Sequence, residues 1–270
     1  MLNYYYINFI KKENMLLLST SSLSWYSLHR VFSFAKKAKY SGIEINLNKL
    51  EYDLWDEDYV KWLSDAFEIP VIAITAPVKG MNEKAVDKIV KIATTVNAQI
   101  ITFSPPHLMD KNTKWFSYYL QKVKKDTNLA VCVQNVEPKF MFFIIPEYKN
   151  STLWELKKVT GDATLDIWAI DHSSWMDILK AQKILWSNIK NIFLSDRRGT
   201  KMWLLPGSAG GWISYLPLES FFMKLKTSWY SGHVTLKVKQ SELWAGNEER
   251  VIQNLEYVKN YYEKHFLEYK

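Results

Sequence analysis

Three segments near the C-terminus decide how this chain is read: NIFLSDRRG at Asn191–Gly199, LLPGSAGG at Leu204–Gly211 and GHVTLKVK at Gly232–Lys239. The first and last contain short apolar, β-rich runs, and a Pro-Gly turn lies between them. Working outward, such runs recur at Leu16–Thr20, Ile43–Leu47, Val71–Ala76, Ile100–Ser104, Leu129–Gln134 and Thr164–Ala169, so that Asn191–Ser195 and Val234–Val238 complete a set of eight. Helical patterns fall between them, near Leu28–Tyr40, Glu57–Phe67, Glu83–Val96, Lys114–Lys125, Leu153–Val159, Met176–Trp186 and Leu218–Leu225, and a last one runs through Glu248–His265. In that last helix Val251, Leu255, Val258 and Tyr262 recur at three and four, the mark of one buried face. Continuous apolar strands alternating with helices imply a parallel sheet covered on its outer face. Eight units favour a closed barrel over an open doubly wound sheet, and no GxGxxG turn follows the first strand.

A chain of 270 residues suits one such barrel, and 48% hydrophobic with 23% charged residues describes a folded globular protein. No composition shift or low-complexity linker marks a second domain, so residues 1–14 are expected to form an N-terminal extension and 15–270 the barrel. The extension reads either as an arm capping the barrel bottom or as the product of an upstream start codon. The lone Cys132 excludes an intramolecular disulfide and reads as a small buried hydrophobe. The most apolar stretch, Phe140–Ile145, stops at Pro146, far short of the roughly 20 residues a membrane helix needs. The start, MLNYYYINFIKKEN, lacks the features of a signal peptide, and a cytoplasmic location is expected. The net charge of +7 and pI of about 9.1 come from dispersed Lys and Arg. That is a solvated surface rather than a nucleic-acid footprint, which needs clustered cations.

In their order and spacing, the three opening segments resemble the closing strands of the xylose isomerase-like TIM barrels, a family of sugar-phosphate isomerases and epimerases that includes endonuclease IV. KAKYSGIEINL at Lys37–Leu47 resembles that family's second strand, with Glu44 at the matching position. The resemblance implies a single-domain (β/α)8 TIM barrel, and it spans nearly the whole chain. It also implies where a divalent metal such as Mn, Mg or Zn would be held, and those positions have changed. The strand-five Glu is replaced by Gln134 in VQNVEP, the strand-six LDIWA keeps Asp166 but has Ala169 for the His, the strand-seven His is Phe193, and the strand-eight Glu is Lys237. Ser208 stands where the turn has Glu, and the TAP and FSP stretches of strands three and four carry no imidazole. Such metals need converging carboxylates or imidazoles. No metal site and no cofactor of the family type is expected.

In barrels of this kind the working residues lie at the C-terminal strand ends. Glu44, His107, Asp166 and Lys237 are the candidate catalytic groups, and Gln134, Asn135, Asp196, Arg197, Arg198 and Ser208 the candidate ligand-binding ones. Lys237 reads either as half of a structural ion pair with Asp166 or Glu44, or as a base or Schiff-base former. GSAGG at Gly207–Gly211 offers backbone N–H groups to an anion, or simply a turn with positive φ. The apolar loop Phe140–Ile145 needs burial, as a lid over the mouth or as a contact in a homodimer. The expected partner is a sugar-like or anionic small molecule, with no membrane and no nucleic acid. Three functions follow in order: a degenerate barrel that binds such a ligand, an active isomerase or epimerase with a rearranged site, and, least favoured, an abasic-site nuclease, whose chemistry depends on clustered metals.

Overall fold

The computed structural model describes residues 14–267 apart from 49, 111–113, 143, 150, 171–176, 200 and 209–215. The expected extension, Asn14 excepted, therefore lies outside the described residues, as does Phe143. Eight parallel strands close into a barrel: β1 (Leu16–Ser19), β2 (Gly42–Asn46), β3 (Val71–Thr75), β4 (Ile100–Phe103), β5 (Ala130–Gln134), β6 (Asp162–Asp166), β7 (Ile189–Leu194) and β8 (His233–Leu236). Each pairs with its successor, and β8 closes on β1 through Leu16↔Val234, Leu17↔Thr235 and Leu18↔Leu236. Helices follow the strands: α1 (Leu28–Lys37), α2 (Glu57–Phe67), α3 (Glu83–Thr95), α4 (Lys114–Asp126), α5 (Leu153–Val159), α6 (Ile178–Leu185), α7 (Leu218–Thr227) and α8 (Glu248–Tyr262).

The period-two alternation of the strands separates two environments. Leu16, Leu18, Ile43, Ile45, Val131, Val133, Leu165, Ile192, Leu194, Val234 and Leu236 point outward into the large apolar layer shared with the helices. Residues of the other parity face the barrel interior. At the bottom these are apolar, with Leu17, Ala73, Ile100 and Cys132 in one small cluster. Above them the lining turns polar: the Thr102 and Thr164 hydroxyls lie 2.7 Å apart, and Thr235 donates to Asn191 Oδ1 at 2.9 Å. A TIM-barrel interior is usually filled by bulky aliphatics. This one is hydrophilic from its middle layer upward.

Local chemistry sets the element ends. Asp56, Asn82, Asp177 and Asn247 accept from the backbone N–H three residues on and start α2, α3, α6 and α8, and Thr152 with Glu155 forms a capping box at α5. Gly42 opens β2 because a Cβ there would lie 2.8 Å from Ile72 Cγ1 and 3.0 Å from the Pro70 carbonyl oxygen. In α8 the periodic residues Val251, Leu255, Val258 and Tyr262 are all buried, as their spacing predicts.

Three boundaries differ from the sequence reading. Strand β6 begins at Asp162, which is held by Lys124 at 2.6 Å and Lys190 at 3.6 Å, and ends at Asp166 rather than Ala169. There the Asn135 side chain takes both backbone groups of Asp166, and the Ala169 N–H closes back on the Asp166 carbonyl. The segment around the Pro-Gly turn contains an antiparallel hairpin, Asp196–Arg198 with Lys201–Leu204. The apolar stretch after β5 forms a second, smaller hairpin, Phe140–Met141 with Ile145–Pro146. Its described side chains are not buried: Phe142 and Ile144 are 83% and 81% exposed. Among the described residues no helix is long and apolar enough to cross a membrane.

Candidate functional site

The C-terminal ends of the strands open into a cavity of about 650 Å³, lined among others by Gln134, Asn135, Asp166, Trp168, Trp203 and Lys237. Lys237 follows β8 directly, and its backbone is fixed on both sides. Its N–H donates to the Leu194 carbonyl at 3.0 Å, while the Ser22 hydroxyl donates to the Leu236 carbonyl at 3.3 Å and accepts from the Val238 N–H at 3.0 Å. The side chain leaves β8 on the inward parity, and its Nζ stands 4.0 Å over the centroid of the Phe193 ring. Phe193 is fully buried yet stands apart from both apolar clusters. Its ring face serves the ammonium.

Two buried carboxyl groups share this chamber. Glu44 is completely buried, with both oxygens lacking a hydrogen-bond partner among the described residues. Burial raises its pKa; the charge of Lys237 and the Ser19 and Thr75 hydroxyls work the other way, although neither hydroxyl reaches hydrogen-bonding geometry. Burial likewise pushes the Asp166 carboxyl up to about 7, with Lys237 again the main opposing influence. Among the described residues neither carboxylate comes within 4.0 Å of Lys237 Nζ, so the expected direct ion pair does not form. The ammonium is instead seated on an aromatic face, with two acids at longer range.

Of the other candidates, Gln134 donates its Nε2 to Ser104 Oγ at 2.8 Å and leaves Oε1 without a partner. Asn135 is engaged by the backbone: its Nδ2 donates to the Asp166 carbonyl at 2.8 Å and its Oδ1 accepts from the Asp166 N–H at 2.7 Å. It holds the end of β6 in place. Asp196 ties two loops together by accepting from the Arg197 and Gly207 N–H groups at 2.7 and 3.1 Å. Arg197 spends its guanidinium on the Gly199 and Trp168 carbonyls and stands 4.0 Å from Glu137. Arg198 is exposed on the hairpin, and Ser208 is exposed with its hydroxyl donated to the Leu205 carbonyl. His107 lies in the loop after β4, 3.2 Å from Glu147, and does not line the cavity. The structure thus brings Glu44, Gln134, Asn135, Asp166 and Lys237 together, and puts His107, Arg198 and Ser208 elsewhere.

Gly207 has φ +74, and a Cβ there would meet Tyr261 at 2.7 Å. The turn therefore needs glycine for positive φ and for its contact with α8, and the Gly207 N–H is already used by Asp196. Ala209, Gly210 and Gly211, together with Asp171 and His172, lie outside the described residues. Among the described residues no three His, Cys, Asp or Glu side chains gather as an ion would need.

The sequence reading gave the aromatic walls too little weight. Trp168 and Trp203 meet edge to face at 5.0 Å, and both indole N–H groups are buried without a partner among the described residues. Trp203 holds a left-handed backbone with φ 57, beside a register shift in its hairpin, and its carbonyl accepts from the Lys239 N–H at 2.9 Å. Such backbone strain clusters where a side chain must be aimed. Nothing in the local sequence marks it.

Solved structures share this geometry of elements. The chain superposes on the IolI protein, solved with a binding zinc atom, with a TM-score of 0.68 and 16% identity over 93% of this chain and 99% of that one. For a xylose isomerase domain protein from Alicyclobacillus acidocaldarius subsp. acidocaldarius the TM-score is 0.67, with 14% identity over 94% and 99% of the two chains. For an AP endonuclease of family 2 from Brucella melitensis it is 0.64, with 14% identity over 86% and 97%. The fold is that of the xylose isomerase-like TIM barrels. No family model matches the sequence, and no curated protein matches it. What the xylose isomerase-like barrels share with this chain at such identities is the frame, including the Glu44 strand and the hairpin-bearing loop after β7.

Proposed function

We propose that the protein binds a neutral, polyhydroxylated, sugar-like molecule at the barrel mouth without a divalent metal. The observation that carries the reading is the set of buried polar atoms without partners on side chains lining the cavity: Gln134 Oε1, Asp166 Oδ1, Trp168 Nε1 and Trp203 Nε1. Each unsatisfied buried group costs about 1–3 kcal/mol, and a ligand rich in hydroxyls supplies both donors and acceptors. The two indole walls offer the apolar faces against which a sugar ring packs. Against an anionic ligand stands the commitment of Arg197 to carbonyls and Glu137, and of Gly207 N–H to Asp196.

The donor chemistry does not fit the metal of the fold family. Gln134, Ala169, Phe193 and Lys237 replace the ligands the resemblance implies, and an ammonium near the ion's place repels a cation. Elemental analysis of the purified protein is expected to find no stoichiometric Mn or Zn. Titration of the tryptophan fluorescence with neutral monosaccharides and alditols is expected to saturate, with sugar phosphates binding no better. Stoichiometric metal, or a strict requirement for the phosphate, would overturn this reading.

A further inference from the structure

We propose that Lys237 captures the open-chain carbonyl of its sugar-like ligand as an iminium, which makes the barrel mouth a carbonyl-reactive site with Asp166 as its proton carrier. The inference rests on the ligand class proposed above and adds a covalent step to it. Three observations support it. Lys237 lines the cavity, and its Nζ is free of any carboxylate within 4.0 Å among the described residues, so no salt bridge occupies the amine. The backbone of Lys237 is fixed by Leu194 and, through its neighbours, by Ser22, so the amine is delivered from a rigid strand end. The Phe193 face 4.0 Å below Nζ stabilises a positive nitrogen, and the iminium, like the ammonium, is a cation.

The protons balance within the chamber. Transfer of one proton from the ammonium to the Asp166 carboxylate gives an amine and an acid. The Nζ lone pair forms a C–N bond to the carbonyl carbon while the C=O π pair moves onto oxygen, and Asp166 protonates that oxygen. Asp166 then takes a proton from the nitrogen of the adduct and returns it to the hydroxyl, which leaves as water when the nitrogen lone pair forms the C=N bond. The products are the iminium, water and the Asp166 carboxylate, and nothing is oxidised or reduced. The carboxyl of Asp166, held near neutrality by burial, suits both giving and accepting that proton.

The test uses the full chain with glyceraldehyde as the carbonyl probe and cyanoborohydride to reduce any imine in place, followed by peptide mapping. Lys237 is expected to carry at least tenfold more reduced adduct than any other lysine, and an alditol that saturates the fluorescence change is expected to suppress it. Labelling spread over the lysines according to exposure would overturn the proposal. Mapping the unmodified sequence needs no variant to fold; Lys237→Arg, which keeps the charge over Phe193, should lose the selective adduct. If the alditol binds while Lys237 stays unlabelled, the covalent step fails and the binding reading stands. If neither occurs, both fail.

Discussion

The Lys237 ammonium stands 4.0 Å above the Phe193 ring, joining the end of β8 to the neighbouring strand β7. A desolvated cation–aromatic contact is worth about 0.5–2 kcal/mol. A double-mutant cycle of Lys237→Met and Phe193→Leu, read by denaturant unfolding, should therefore show a coupling of about that size. Strict additivity would mean that the contact contributes nothing.

Asp166 gives stability a defined pH dependence. Its carboxyl titrates at about 7 when folded, above the ordinary 3.8, so the folded state holds this proton more tightly than the unfolded chain. Its contribution is fully present below about pH 4 and is lost as pH rises through about 7, a change on the order of a few kcal/mol. Asp166→Asn removes the titration. The unfolding free energy of the variant relative to the unmodified protein should increase from pH 4 to pH 8, and a flat difference would contradict the assignment.

Trp203 combines a left-handed backbone with a wall of the cavity. Trp203→Gly relieves the backbone and removes the wall. Stability should change by less than about 1 kcal/mol, because strain relief offsets lost packing. Affinity for the saturating sugar should fall by about tenfold or more. Unchanged affinity, read by calorimetry, would remove Trp203 from the site.

The exposed hairpin residue Phe142 has φ 51 and is 83% exposed. Phe142→Gly is expected to raise stability by roughly 0.5 kcal/mol, since a bulky side chain in the left-handed region costs about 1–2 kcal/mol, partly offset by the greater unfolded-state freedom of glycine. Thermal unfolding measures it. A loss of stability would show that Phe142 packs against something in solution.

Much of the barrel was legible because each strand carried its own signal: a short apolar run, a turn, then an amphipathic helix. The miss at Thr164–Ala169 has a physical cause. Ile167, Trp168 and Ala169 are apolar enough to continue a strand, but the Asn135 amide, reaching across from β5, claims the Asp166 backbone. The changes at Gln134, Phe193 and Lys237 were visible too, because each stands at a fixed offset in its strand. Arg197 was not legible as a structural residue, since its partners, the Gly199 and Trp168 carbonyls and Glu137, have no sequence signature as acceptors.

Sequence alone determined the eight-unit barrel and the inward parity of Glu44, Gln134, Asp166, Phe193 and Lys237, because hydrophobic alternation is written along each strand. Only the tertiary structure decided which of those groups meet. Barrel closure and register put Lys237 over Phe193 rather than in contact with Asp166, turned Asp196 onto Gly207, and left Phe142 and Ile144 exposed. Those outcomes depend on distances between residues far apart in the chain, which closure fixes and local pattern does not.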